Sequence, residues 1–225
     1  MRKIFPLLSA LFPSILTSNH FAFGLSTKPK LHTINDAINE ANHKNWIESK
    51  KLFTQSLSEA NGLLKVRDCN RYLKVLGDDG KIQEAVESFH QMVEFGLKPT
   101  IVTYSTLISR SGAAGDTTTA EKFYRFMIDN GIAPDVQATN SLINAFAKVG
   151  DVERAFEVFD GMGKIGLTPS IISFNSLLDA CARAKNLNKA KEVFGMLRSW
   201  GLQPNERTYS ILIQSHVACG SLEGA

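Results

Sequence analysis

Residues 96–100 read Gly-Leu-Lys-Pro-Thr, and a glycine, an aliphatic residue, a proline and a polar residue return in this order at 131–135, 166–170 and 201–205. The prolines of these stretches are 35 residues apart, three times in succession. A fixed period of this length indicates a repeat protein in which each copy is one supersecondary unit. The period divides the chain into units 66–100, 101–135, 136–170 and 171–205 and a partial unit 206–225.

Other columns obey the same period when the positions of a unit are numbered 1 to 35. Position 20 is always alanine, at Ala85, Ala120, Ala155, Ala190 and Ala225. Position 24 is always aromatic, at Phe89, Tyr124, Phe159 and Phe194. Positions 7 and 8 are apolar or aromatic, at Tyr72-Leu73, Leu107-Ile108, Leu142-Ile143, Leu177-Leu178 and Leu212-Ile213. This agreement predicts one folding unit, repeated.

Each unit has the turn and cap residues of a helical hairpin. Thr103 is a candidate cap for a first helix, whose apolar positions 7 and 8 face inward. Left-handed glycines that close this helix are expected at Gly115, Gly150 and Gly220. Caps of the second helix are expected at Asp116, Asp151, Asn186 and Ser221. Because two short helices cannot bury both faces alone, neighbouring hairpins must stack. The fold class is therefore all-α, a right-handed superhelical solenoid whose concave surface is formed by the first helices.

The column chemistry separates the candidate families. Tetratricopeptide repeats have a period of 34 and a Trp-containing first helix. Here the first helices open with Val-Thr-Tyr-Ser at 102–105 and Ser-Phe-Asn-Ser at 173–176, and Phe-x-x-Met occurs at Phe89/Met92 and Phe159/Met162. With the Gly-[Ile/Leu]-x-Pro ending, this resembles the pentatricopeptide repeat family over residues 66–225. The resemblance implies single-stranded RNA as partner, one base per repeat, in organelle RNA processing. Residues 31–65 fit poorly and predict a degenerate helical segment or N-terminal cap.

The resemblance also implies which residues contact RNA. Base-selecting residues lie at position 5, namely Asn70, Ser105, Asn140, Asn175 and Ser210, and at position 35, namely Thr100, Asp135, Ser170 and Asn205. Small polar side chains in these columns can address the edge of an unpaired base. A purely structural role, as helix-start and turn residues, is the alternative. By the family's base code Ser105/Asp135 prefers G, Asn140/Ser170 prefers C, and Asn175/Asn205 prefers C or U. The expected target is 5′-N-G-C-Y-3′.

Two further columns complete the expected RNA contacts. At position 2 the family has aliphatic side chains that clamp the bases, and Val102 and Ile172 match this pattern. Arg207 is not aliphatic, but its guanidinium plane can stack on a base in the same way. Arg67 and Gln137 depart from this pattern. At position 13, Lys148 and Arg183 match a cation that contacts the RNA backbone, although both could equally solvate a helix end.

Charge and composition give no independent sign of nucleic acid or of catalysis. The net charge is +3, but residues 1–30 hold four of the 25 basic residues and none of the 22 acidic ones, so the remainder has 21 basic and 22 acidic residues. The three cysteines, Cys69, Cys181 and Cys219, are widely spaced and are expected to pack within helices. No catalytic constellation, metal site, cofactor or small-molecule substrate is predicted.

Residues 1–30 have the composition of a targeting leader. Two basic residues precede an apolar stretch that is too short, and too broken by Pro6 and Pro13, for a stable membrane span. The following Phe-Ala-Phe-Gly at 21–24 resembles the bipartite leaders of algae with secondary plastids. A plastid is therefore expected, with a mitochondrion as the alternative.

Two other functions are open at this point. One is a tetratricopeptide-like scaffold that holds a peptide in its groove. The other is the N-terminal part of an enzyme similar to protein-only ribonuclease P, whose catalytic domain would lie downstream. Ala225 falls inside the expected second helix of its unit, so the chain is expected to be a fragment.

Overall fold

The regular structure consists of α-helices joined by short turns. A computed structural model describes residues 33–59 and 64–220, and within these residues there are eleven helices and no strand. The helices are α1 (Thr33–Asn42), α2 (Trp46–Glu59), α3 (Val66–Asp78), α4 (Ile82–Glu94), α5 (Ile101–Ala113), α6 (Thr117–Asp129), α7 (Val136–Val149), α8 (Val152–Lys164), α9 (Ile171–Arg183), α10 (Leu187–Ser199) and α11 (Glu206–Ala218). From α3 onward each first helix begins at position 1 of a unit.

The turn inside each hairpin is closed by a residue with positive φ. Gly115, Gly150 and Gly220 have φ values of +83°, +75° and +70°, as their place in the sequence predicts. In the fourth unit Lys185 adopts the same left-handed conformation, with φ of +53°. The next residue then caps the second helix: the carboxylate of Asp116, for example, accepts the backbone N–H of Thr119 at 2.9 Å.

The remaining caps of the second helices agree with the sequence where the structure describes them. Asp151 Oδ1 accepts the N–H of Arg154 at 3.2 Å, and Asn186 Oδ1 accepts the N–H of Lys189 at 3.1 Å. The expected cap Ser221 lies outside the described residues, as does Ala225.

The prediction that Thr103 caps the first helix of its unit is wrong. Helix α5 begins at Ile101, and its N-cap is Thr100, at position 35 of the preceding unit. Thr103 is the third helical residue, and its hydroxyl accepts the backbone N–H of Thr100 at 3.0 Å. This is the reciprocal half of a capping box, in which the third residue satisfies the N–H of the cap.

Aromatic contacts between position 24 and position 4 of the next unit join consecutive hairpins. Ring centroids are 5.7 Å apart for Phe89 and Tyr104, 5.0 Å for Phe159 and Phe174, and 6.1 Å for Phe194 and Tyr209. Between the second and third units the Tyr124 hydroxyl instead pairs with Thr139 Oγ1 at 3.0 Å. Each hairpin therefore supplies part of its neighbour's core, which explains why the aromatic column repeats.

The expected apolar pairs at positions 7 and 8 are buried in four units and differ in the fifth. The buried pairs are Tyr72-Leu73, Leu107-Ile108, Leu142-Ile143 and Leu177-Leu178. In α11, Leu212 is half-buried and Ile213 is exposed, since no described helix follows α11 to cover them. The apolar side chains at positions 7 and 8 are therefore buried by the following hairpin.

The hairpins stack as a solenoid, with the two kinds of helix on different sides. The first helices α1, α3, α5, α7, α9 and α11 each pack against the next in this series. Among the described second helices, only α2 and α4 make a backbone contact, and it is smaller than any contact between consecutive first helices. Side chains bridge others, as Arg154 of α8 does by reaching Glu121 of α6 at 3.0 Å. The stack is therefore narrower along the first helices, which line its inner side. Helices α1 and α2 pack like a further hairpin ahead of the first unit.

The cysteines are free thiols in two different settings. Cys69 and Cys181 lie within α3 and α9 and are fully buried, and burial raises the pKa of Cys69 to about 12 and that of Cys181 to about 11. Contrary to expectation, Cys219 does not lie within a helix: it follows α11 and is half-buried, with its Sγ donating to the carbonyl of Lys185 at 3.2 Å. The two buried thiols are packing groups.

Candidate nucleic-acid interface

The position 5 residues lie one turn into each first helix, on the side where neighbouring first helices meet. Three of them are buried asparagines, Asn70, Asn140 and Asn175. Ser105 is half-buried and Ser210 is exposed. Asparagine amides buried between two helices need hydrogen-bond partners, so their neighbours determine which atoms remain available.

The position 35 residues are the N-caps of the first helices that follow them. Asp135 Oδ1 accepts the backbone N–H of Ala138 at 2.7 Å, and Asn205 Oδ1 accepts that of Thr208 at 3.0 Å. Thr100 and Ser170 occupy the same place on α5 and α9. The alternative role of these residues was that of turn residues; the structure gives them a helix-cap role, which holds each side chain at the start of a helix.

Positions 5 and 35 of one unit come together because the first helices pack side by side. In the fourth unit, Nδ2 of Asn175 donates to Oδ1 of Asn205 at 3.4 Å, across 30 residues of sequence. In the third unit, Asn140 and Ser170 are linked through one hydroxyl, since Ser173 Oγ donates to Asn140 Oδ1 at 2.7 Å and accepts the N–H of Ser170 at 3.1 Å. The structure has no hydrogen bond between the members of the other two pairs, Ser105/Asp135 and Asn70/Thr100.

Two residues that the sequence analysis did not single out take part in this network. Ser173 and Thr208 occupy position 3 of the following unit, and each hydroxyl lies within hydrogen-bond distance of the amide oxygen of the position 5 asparagine in the unit before it. Thr208 Oγ1 also lies 2.9 Å from Asn205 Oδ1. A signal for them was present in the sequence. Position 3 holds a hydroxyl residue 33 residues after each of the asparagines Asn70, Asn140 and Asn175, and it holds Ala138 after Ser105.

The position 2 side chains are exposed at the start of the first helices. Val102 and Ile172 retain 56% and 61% of their accessible surface, and Arg207 is also exposed. The departing residues Arg67 and Gln137 are exposed in the same column. An aliphatic side chain this open contributes little to the core, so it is available to pack against a planar ligand.

The two position 13 cations are engaged with the protein itself. Lys148 Nζ donates to the carbonyl oxygen of Ala113, in the last turn of the neighbouring α5. Arg183 Nε donates to Asp179 Oδ2 at 2.8 Å, one turn earlier on the same helix. Both side chains remain exposed, so each could turn to an RNA phosphate only in competition with its partner in the protein.

Neither a metal-ligand cluster nor a membrane-spanning helix occurs in the described part of the chain. Residues 33–59 and 64–220 contain no group of three or more His, Cys, Asp or Glu side chains that could hold a metal ion. Over the same ranges, none of the helices has the length and apolar character required to cross a bilayer. The surface is a row of polar pairs and exposed aliphatic groups.

Sequence comparisons match this row of units to known proteins. The family model described as the pentacotripeptide-repeat region of PRORP matches residues 82–224. A chloroplastic pentatricopeptide repeat-containing protein of Arabidopsis thaliana is 32% identical over 82 residues, which are 36% of this chain and 12% of the relative.

Solved structures give the same architecture. Maize PPR10, determined in complex with an 18-nt psaJ RNA element, is similar with a TM-score of 0.78 and 27% identity, over 88% of this chain and 29% of that chain. The PPR domain of A. thaliana protein-only RNase P 1, determined in complex with tRNA, has a TM-score of 0.63 and 19% identity, over 84% of this chain and 99% of that chain. The latter likeness is one of fold. The chain spans less than a third of the length of the chloroplastic relative and of PPR10.

Proposed function

The chain belongs to the pentatricopeptide repeat family, and we propose that it binds single-stranded RNA along its first helices, with one base read by each pair at positions 5 and 35. The observation that carries this proposal is the adjacency of the two positions, seen most directly in the 3.4 Å hydrogen bond between Asn175 and Asn205. A base that reaches this place meets both side chains at once, as reading one edge of an unpaired base requires. The RNA complex of maize PPR10, to which the chain is 27% identical, supports the same class of ligand.

Stacking completes the base site. Val102, Ile172 and Arg207 stand at position 2, close in sequence to the base-selecting positions and open to solvent. Aliphatic groups and the guanidinium plane pack against the face of a base whatever its identity, so they contribute affinity while the polar pairs contribute selectivity. Lys148 and Arg183 are the candidate phosphate contacts. Two such contacts on a near-neutral array imply modest affinity.

The expected target is an RNA that contains 5′-N-G-C-Y-3′, opposite the four complete units. Fluorescence anisotropy with the full chain would compare this motif with a purine-swapped version in otherwise identical unstructured RNA. We expect about tenfold tighter binding to the matched RNA, the effect of one or two discriminating hydrogen bonds. Equal affinity for the two RNAs would overturn the base assignment. No RNA binding together with peptide binding would instead support a protein scaffold.

A pair of variants tests the surface itself. Asn140→Ala with Asn175→Ala removes two base-selecting amides from α7 and α9 and should reduce the preference for the matched RNA to the part that Ser105/Asp135 supplies. Asn144→Ala removes an exposed amide from the same helix α7, at a position outside the base-selecting columns, and should leave the preference unchanged. If both proteins lose the preference equally, the selecting residues lie elsewhere.

A second candidate, the RNA-binding part of a ribonuclease P-like enzyme, is favoured by the description of the matching family model. A chain with that role would prefer the structured body of a transfer RNA precursor to a short single strand. Competition between a precursor transfer RNA and the single-stranded motif distinguishes the two. Displacement of the single strand by an equimolar amount of precursor supports the enzyme. If the first proposal holds, we expect that about a hundredfold excess of precursor is needed to displace the single strand.

The place of action that we propose is the plastid, with a mitochondrion as the alternative. The chloroplastic relative supports an organelle, and residues 1–30, which lie outside the described residues, have the leader composition. Import of the radiolabelled chain into isolated plastids and mitochondria, with protease protection as readout, tests this assignment. Deletion of residues 2–30 should abolish protection.

A further inference from the structure

We propose that the hydroxyl groups of Ser173 and Thr208 are positioning groups that orient the base-reading amides of the preceding units, Asn140 and Asn175. Each hydroxyl holds the amide oxygen of its asparagine, so the amide presents its N–H groups to the RNA. This inference rests on the proposed function, because it concerns how the same surface selects bases. It assigns part of the selectivity of a unit to a residue of the next unit.

The hydrogen bonds around Ser173 determine which way the Asn140 amide faces. A serine hydroxyl has one hydrogen to donate. The backbone N–H of Ser170 already donates to Ser173 Oγ at 3.1 Å, and the hydroxyl hydrogen is directed to Asn140 Oδ1 at 2.7 Å. A rotated amide would place its Nδ2 against that hydroxyl, and the hydroxyl hydrogen would lose its acceptor. Ser173 is fully buried and Asn140 is 8% exposed, so water is poorly placed to replace the lost bond.

The arrangement at Thr208 is the same and includes the position 35 side chain. Thr208 Oγ1 accepts the N–H of Asn205 at 3.2 Å and lies 2.8 Å from Asn175 Oδ1 and 2.9 Å from Asn205 Oδ1, so its single hydrogen has two acceptors, of which the Asn175 oxygen is the nearer. With its oxygen held, Asn175 directs Nδ2 to Asn205 Oδ1 at 3.4 Å. One Nδ2 hydrogen is used in this contact and the second remains for a ligand. In the third unit, no described residue takes either hydrogen of Asn140 Nδ2.

The first unit supplies a natural comparison. Thr103 occupies position 3 and accepts the Thr100 N–H at 3.0 Å, as Ser173 does with Ser170. Its hydroxyl, however, pairs with the Thr100 hydroxyl at 3.3 Å, and Asn70 Oδ1 is buried with no partner in the part of the chain that the structure describes. Thr103 and Ser173 therefore share the capping role and differ in the contact with asparagine. Ala138 has no hydroxyl, and it follows Ser105, a side chain without an amide to orient.

The chemical consequence is a fixed hydrogen-bond donor opposite the base. An amide held by its oxygen offers N–H groups only, which suit the two acceptors on the Watson–Crick edge of cytosine (O2 and N3) or uracil (O2 and O4), whereas that edge of adenine has one acceptor, N1. A freely rotating amide can offer either its oxygen or its nitrogen and so accepts more bases. The orientation therefore favours pyrimidines at the third and fourth units, and its loss should relax selection without removing the amide.

The test uses the full chain, two RNAs and three variants. The RNAs differ only by C or A at the nucleotide opposite the third unit, and fluorescence anisotropy gives the ratio of their dissociation constants. Ser173→Ala should lower this ratio about threefold, and Ser173→Thr should retain it. Thr103→Ala removes an equivalent capping hydroxyl and should leave the ratio unchanged. A ratio in Ser173→Ala equal to wild type, or an equal loss in Thr103→Ala, would overturn the proposal.

A second measurement on the free protein does not depend on RNA. In ¹⁵N-resolved NMR spectra, Ser173→Ala should shift the Asn140 side-chain NH₂ signals and leave those of Asn175, which Thr208 holds, in place. Unchanged Asn140 signals would reject the orienting hydrogen bond. If the wild type binds neither RNA while these signals move as expected, the proposed function fails and the orienting contact stands.

Discussion

The side chain of Asn175 donates a 3.4 Å hydrogen bond to that of Asn205, although 30 residues separate them in the sequence. Asn205 caps α11, and α11 packs against α9, which carries Asn175. Each base-reading pair is thus assembled from the start of one first helix and the cap of the next. Under the proposed function, a unit would therefore read a base only when its neighbour is folded beside it.

Exchange of this pair should change the base that the fourth unit prefers. Asn175→Ser with Asn205→Asp reproduces the Ser105/Asp135 pair of the second unit. We expect the preferred base opposite the fourth unit to change from a pyrimidine to G, with about a tenfold reversal of relative affinity in anisotropy titrations.

The stability of the exchanged variant serves as the control. Asp135 caps α7 through the N–H of Ala138, so an aspartate at 205 should cap α11 equally well. The melting temperature should remain within a few degrees of wild type. A stable variant with the original base preference would contradict the assignment of the pair.

The close approach of α5 and α7 depends on the absence of a side chain at Gly112. A Cβ at this position would lie 2.6 Å from the Cβ of Ala145 and 3.1 Å from its Cα. Although alanine is favoured over glycine in a helix by up to about 1 kcal/mol, the helices would have to separate. We expect Gly112→Ala to lower the free energy of unfolding by about 1 to 2 kcal/mol in urea titrations.

Gly195 is the matched control for this substitution. It lies within α10, and a Cβ added there would meet nothing within 4 Å. Gly195→Ala should therefore stabilise the protein by up to about 1 kcal/mol. Equal effects of the two substitutions would show that helix propensity, and not the contact between α5 and α7, determines the result.

The helical hairpins could be predicted because each column acts within one unit. Three signals lie within a single unit: a glycine before a capping residue, an alanine and an aromatic residue one turn apart, and a proline after the second helix. At Lys185 the glycine is missing, yet the backbone is left-handed as in the glycine units, and α9, which Lys185 follows, packs between α7 and α11. The cost of about 1 kcal/mol for a residue with a Cβ is small beside this packing.

The candidate site was only partly predictable because its hydrogen bonds cross between units. Thr103 was predicted to be an N-cap because threonine is favoured at that position. It is instead the third residue of α5, because the N-cap is Thr100, the last residue of the preceding unit. Ser173 donates to an acceptor 33 residues away, and Lys148 donates to a carbonyl 35 residues away. Such contacts depend on the offset of neighbouring first helices, which no single unit reveals.

The three thiols should differ in their reaction with iodoacetamide. The thiolate is the reactive form, and pKa values of about 12 at Cys69 and about 11 at Cys181 leave little of it at pH 8. Both side chains are also inaccessible, whereas Cys219 is half-buried. Mass spectrometry should show one modification of the native protein and three in urea. Cys219→Ser should remove the native modification; its persistence would show that a helix opens to expose a buried thiol.

Arg183 should contact RNA more strongly when its partner in the protein is removed. Asp179 holds the guanidinium at 2.8 Å, so a phosphate must compete with a carboxylate one turn away. Asp179→Asn leaves a neutral side chain of the same shape, and because a partly exposed pair within one helix contributes about 0.5 kcal/mol, the fold should be little affected. We expect tighter RNA binding and a logarithmic salt dependence that is steeper by about 0.7, the value for one further phosphate contact on a single strand.

The double variant Asp179→Asn with Arg183→Gln has no cation at this place and should show a salt dependence no steeper than wild type. An equally steep dependence in the double variant would mean that the lost carboxylate acts through the overall charge, and that Arg183 does not reach the RNA backbone.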